Sequence, residues 1–220
     1  MGIRLRYNSP VILTFTLLAT AVLVIDTFTA GAASKLAFTV YPGMDLRSPL
    51  TYLRLVSHVV GHADWTHLMS NFSFILLIGP ILEEKFGSLR TLAMMAVTAL
   101  ITGILAALVF RTGLKGASGI VFMFILLGSF TNSRQGEIPL TFILVVILFL
   151  AREVINTVAV RDNVAQFAHI AGGVCGGMFG FATTSSTRRA IPSGQEASVA
   201  QRMAAKGSQE EAPTVPKPKE

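Results

Sequence analysis

The chain has 220 residues, 52% of them apolar and 14% charged, with a formal net charge of +6. An average soluble domain is about 25% charged, so the composition excludes an ordinary water-soluble enzyme and makes lipid the expected solvent. The single cysteine, Cys175, excludes an intramolecular disulfide and a multi-cysteine metal site.

Apolar runs near the length needed to cross the hydrocarbon core as helices occur at about 10–31, 66–82, 90–110, 117–131, 138–156 and 164–183. The expected fold class is therefore all-α, a membrane bundle of six transmembrane helices. Residues 1–33 imitate a secretory signal: Arg4 and Arg6, an apolar run, then Ala30, Gly31, Ala32 and Ala33. The run is longer than a signal core and holds Asp26 near its end, so it is expected to be kept as the first helix. The connection over 32–65 carries the amphipathic stretch Leu50-Thr51-Tyr52-Leu53-Arg54-Leu55-Val56, which fits the membrane interface.

From 184 to 220 the chain turns to Ser, Gln, Lys, Glu and Pro and is expected to be a disordered cytoplasmic tail behind one domain over 1–183. Both termini are expected in the cytoplasm. With six spans, the inner side then holds Arg4, Arg6, Lys85, Arg90, Arg134, Arg188, Arg189, Arg202, Lys206, Lys217 and Lys219 of the eighteen basic residues. The pI near 9.9 calls for no nucleic acid, since basic flanks beside spans are expected at an anionic leaflet.

Chemistry concentrates in three places. His58, His62 and His67 share one window that ends in Asn71, and on a helix His67 and Asn71 lie one turn apart on one face. Ser118, in Gly116-Ala117-Ser118-Gly119, opens the fourth run, and His169 stands inside the sixth. Ionisable groups inside spans are costly and mark function. A serine hydroxyl needs a base, which His169 can be. The oxyanion of amide hydrolysis needs preorganised donors, which Asn71, His67 and the Ser118 N–H can supply. No acid lies near His169, so a dyad is expected, with the ring resting on Phe122 one turn beyond Ser118. Small residues, Gly116, Ala117 and Gly119 against Ala168, Gly172, Gly173, Gly176, Gly177 and Gly180, allow the close helix approach a dyad requires. His58 and His62 at i and i+4 also admit a metal site, but no HExxH glutamate accompanies them. Glu83, Glu84 and Lys85 read as a solvated helix end.

The ordered set His67-Leu-Met-Ser-Asn71, Gly116-Ala117-Ser118-Gly119 and Ala168-His169-Ile-Ala-Gly172 resembles the rhomboid intramembrane serine proteases in their minimal six-span bacterial or archaeal form. The resemblance runs from about Arg54 to Gly180. It implies a Ser118–His169 dyad, an oxyanion hole involving Asn71 and His67, no metal or cofactor, and cleavage of single-span transmembrane substrates from the outer side of the bilayer. Arg54 resembles the arginine of the family's Trp-Arg pair, with Leu53 in place of the tryptophan. Phe122 stands where the family often has tyrosine. Two other readings fit parts of the pattern: a catalytically silent rhomboid-like binder of membrane proteins, and a small transporter lined by His67, Asn71 and His169.

Overall fold

The computed structural model describes residues 7–109, 112–132, 140, 143, 144, 147, 148, 151 and 163–189. Within them every regular element is a helix: α1 (Pro10–Phe28), α2 (Ala32–Ala37), α3 (Pro49–Ser57), α4 (Trp65–Phe86), α5 (Ser88–Val109), α6 (Ser118–Asn132) and α7 (Asn163–Arg189). Three of these, α1, α4 and α5, are long and apolar enough to cross a membrane, and shorter apolar stretches lie at Ser118–Ser129 and Phe167–Thr183. The apolar run at 138–156 lies almost wholly outside the described residues, as do residues 190–220. The sixth run continues as helix to Arg189, beyond its expected end at 183. By its internal packing the chain divides into two units, Met1–Phe181 and Ala182–Glu220.

Helix α6 is the buried element. Ile120, Val121, Phe122, Met123, Phe124, Ile125 and Leu127 are all inside the protein, as expected of a helix apolar on every side. The outward faces of α1, α4 and α5 carry exposed Leu17, Leu18, Leu77, Ile81, Leu92 and Leu108, the pattern lipid permits. Between such helices burial in hydrocarbon gives no hydrophobic drive, so van der Waals fit and hydrogen bonds hold the bundle.

Three glycines set the helix spacing. A Cβ on Gly79 of α4 would stand 2.7 Å from Cδ1 of Ile12 in α1, and one on Gly103 of α5 would stand 3.0 Å from the Leu55 carbonyl carbon in α3. A Cβ on Gly172 of α7 would overlap the Gly119 carbonyl of α6. Phe15 of α1 and Phe72 of α4 add a ring contact at 5.3 Å between centroids.

The α1 N-terminus is capped from another helix. Ser9 has φ 52° and its side chain makes no cap. The Glu83 carboxylate of α4 instead accepts from the Val11 and Ile12 N–H groups, each at 3.0 Å, and from the Ser88 hydroxyl at 2.7 Å. Glu83 is 3% exposed, which corrects its reading as part of a solvated end; Glu84 and Lys85 are exposed. An anion on the unsatisfied amides of a helix N-terminus is favourable, and more so away from water. Gly79 and Glu83 share one face of α4, which brings α1 close at Gly79 and supplies the cap one turn later.

Candidate active site

The connection between α1 and α4 is fastened to the segment that precedes Ser118. Val40 and Leu114 form an antiparallel bridge, with N–H donors at 3.0 and 2.9 Å. The Gly116 N–H donates to the His58 carbonyl at 2.9 Å, and the Ala117 N–H donates to His62 Nε2 at 3.4 Å. Gly116 has φ +130°, a conformation that side-chain-bearing residues rarely adopt. A Cβ there would also stand 2.7 Å from Cε1 of His67. The turn thus needs glycine twice over, for its backbone and for its neighbour.

Ser118 is the first residue of α6 and is half-buried. The first intrahelical bond runs from the Val121 N–H to the Ala117 carbonyl at 3.0 Å. The N–H groups of Ser118, Gly119 and Ile120 are therefore the orphan donors of this N-terminus, where partial positive charge gathers. His67 and Asn71 of α4 face the same turn: the Cβ position on Gly116 is 2.9 Å from His67 Nε2 and 3.8 Å from Asn71 Nδ2. Asp64 caps α4 by accepting from the His67 N–H at 2.8 Å. Asn71 is 4% exposed, and its Nδ2 has no hydrogen-bond partner among the described residues. A buried donor left without an acceptor costs about 1–3 kcal/mol, and in a native protein such a group calls for an explanation.

His169 reaches this region from α7. It is 4% exposed, and its ring stacks on Phe122 with centroids 4.5 Å apart and planes at 16°. Phe122 lies one turn beyond Ser118 on α6. A Cβ on Gly119 would meet the Ala168 carbonyl at 3.4 Å, so the α7 backbone beside His169 touches the α6 backbone beside Ser118. Ser118, His169, His67 and Asn71, with Gly116, Gly119, Phe122 and Gly172, thus converge on the start of α6. Arg54 is elsewhere: it donates to the Leu36 carbonyl at 2.9 Å and the Lys35 carbonyl at 3.4 Å, and lies 5.6 Å from the centre of the Tyr41 ring. Its bonds hold the connecting loop to itself. Among the described residues no group of three His, Cys, Asp or Glu side chains is arranged to hold a metal.

The family model of the rhomboid domain matches residues 49–186. The chain belongs to the rhomboid family. A curated relative, the rhomboid protease GlpG of Haemophilus influenzae, is 26% identical over 131 residues, covering 58% of this chain and 68% of the relative. Membership and the apolar helices together make this rhomboid an integral membrane protein.

Two histidines of the rhomboid domain have functions that sequence reasoning weighed only as metal ligands. His58 and His62 are each 1% exposed. His58 Nε2 lies 3.3 Å from the Thr102 hydroxyl of α5, and His62 Nδ1 lies 3.1 Å from the Val60 carbonyl. Burial lowers both imidazole pKa values to about 4, and for His62 the nearby His67 and Lys115 add to the effect. Both rings are neutral at neutral pH, and each joins the connecting loop to a helix or turn of the site. The signal available was their i, i+4 spacing without any third ligand, which fits a buried polar link as well as a metal.

Proposed function

We propose that this rhomboid is an intramembrane serine endopeptidase that uses Ser118 and His169 as a dyad. The Ser118 hydroxyl oxygen bonds to the carbonyl carbon of a substrate peptide as His169 takes its proton. The resulting oxyanion accepts from Asn71 Nδ2, His67 and the Ser118 N–H. The carbon–nitrogen bond then breaks, the leaving amine takes the proton from His169, and a water activated by the same imidazole hydrolyses the acyl-enzyme. No metal or cofactor enters any step. Phe122 and the glycine contact at Gly119 and Gly172 hold the imidazole against α6.

The observation that carries this reading is the Asn71 amide: a buried donor without a partner among the described residues, beside Gly116 and one turn from His67, at a helix N-terminus that starts with Ser118. Membership of the family of a named protease supports the same reading. Substrates are proposed to be single-span helices that unwind locally, since a helical amide is shielded within its own hydrogen bonds. The domain is proposed to have six spans over 1–183, with both termini and the 184–220 tail on the cytoplasmic side of a bacterial or archaeal membrane.

The test uses full-length protein purified in detergent, a model transmembrane substrate, and the Ser118→Ala and His169→Ala variants. Cleavage by the wild type and loss of cleavage in both variants is the expected result. Cleavage that survives either substitution overturns the dyad.

A further inference from the structure

We propose that His62 is a positioning residue of this site: as the Nδ1–H tautomer it fixes the turn before Ser118 and the ring of His67 together. The inference rests on the protease reading for its consequence in catalysis, and on hydrogen bonding alone for the tautomer.

The donor inventory decides the tautomer. The Ala117 N–H can only donate, so the nitrogen facing it, His62 Nε2 at 3.4 Å, must present its lone pair. The Val60 carbonyl can only accept, so Nδ1 at 3.1 Å must carry the hydrogen. A doubly protonated ring, or the opposite tautomer, sets N–H against N–H at Ala117 and loses the bond that ties the loop to the turn.

The ring has further contacts. Its edge meets the His67 ring, centroids 5.1 Å apart and planes at 65°, and it leans on Phe72 at 5.6 Å. The charged or titratable groups around it are His67, Lys115 and Asp64. His62 therefore touches two parts of the site that must agree in catalysis. One is the backbone that aims Ser118, already held at Gly116 by the His58 carbonyl. The other is the imidazole proposed as an oxyanion donor. His62 takes the Ala117 N–H, and the Ser118 N–H is the next amide, at the start of α6. Displacement by about 1 Å in such a constellation can lower the rate roughly a hundredfold.

The test compares His62→Phe, which keeps ring volume and loses both nitrogens, with His62→Gln, whose amide oxygen can accept from Ala117. In full-length protein with a model transmembrane substrate, His62→Phe is expected to lower kcat about tenfold or more with KM nearly unchanged, because orientation of the attacking group and not substrate binding is disturbed. His62→Gln is expected to recover most of that loss. Wild-type kcat in His62→Phe, or equal impairment in a folded His62→Gln, overturns the proposal. The tautomer is read independently from nitrogen-15 imidazole shifts of wild-type protein labelled at histidine, with the His62 signals identified by their absence in His62→Gln. An Nδ1–H signature at neutral pH is expected even if His62→Phe does not fold, and an Nε2–H signature overturns the proposal. A wild type that neither cleaves nor reacts at Ser118 refutes the protease reading instead, and leaves the tautomer result to judge His62.

Discussion

Gly172→Ala should disable the site while its neighbour Gly173→Ala does not. A Cβ on Gly172 stands 2.8 Å from the Gly119 carbonyl carbon and 2.9 Å from its Cα, and overlaps the carbonyl oxygen. Carbon atoms in good contact lie about 3.5–4.0 Å apart, so α6 and α7 must part by roughly 0.5–1 Å. The displaced segment carries His169, which shares a face of α7 with Gly172, away from Ser118, which adjoins Gly119. A shift of that size can lower kcat by up to about a hundredfold, and overpacking costs about 1–3 kcal/mol. A Cβ on Gly173 meets only Leu126 side-chain atoms at 3.8 and 3.9 Å, which is ordinary contact. Cleavage rates and unfolding in mixed detergent, measured side by side, check both halves. Gly172→Ala with the rate and stability of Gly173→Ala would refute the close-approach argument.

Glu83→Ala leaves the Val11 and Ile12 amides without their acceptor and should destabilise the bundle by about 3 kcal/mol, at about 1–3 per buried donor. Glu83→Gln keeps one acceptor oxygen and should cost less, and residual activity at low temperature should persist in both. Asn71→Ala should lower kcat by about 10²–10³ if its amide binds the oxyanion, while leaving stability unchanged or slightly higher, because it removes a buried donor that has no partner among the described residues. Stability should also fall on acidification. His58 and His62 have pKa values of about 4 in the folded protein against an ordinary 6.5, so between those values the unfolded chain binds more protons. Stability is full above about pH 6.5 and declines toward pH 4, by roughly 3 kcal/mol per histidine at 1.36 kcal/mol per pKa unit. An unfolding midpoint flat across that interval would show that the two rings are not buried and neutral.

Four of the apolar runs read from the sequence overlap α1, α4, α5 and α6, because a long uninterrupted apolar run is displayed directly by a sequence; three of the four helices are long and apolar enough to cross a membrane. The end at 183 was less legible: α7 runs on to Arg189, since polarity of side chains says little about where a helix frays. The chemistry-bearing residues stood out for a related reason, as a histidine, an asparagine or a serine inside an apolar run is conspicuous. Glu83 was misjudged because a charged residue near a helix end is usually solvated. Its burial follows from a partner seventy-one positions away at Ile12, and no local pattern displays that. His62 was hidden for the same reason, as its meaning lies in an amide of Ala117 fifty-five positions distant.

The most direct measurement is covalent labelling of the wild type with a serine-directed phosphonate, followed by mass spectrometry of the modified peptide, beside His169→Ala. A single adduct on Ser118 that is lost or greatly slowed in His169→Ala is what a hydroxyl activated by that imidazole gives. Labelling of another residue, or equal labelling of Ser118 with and without His169, would contradict it.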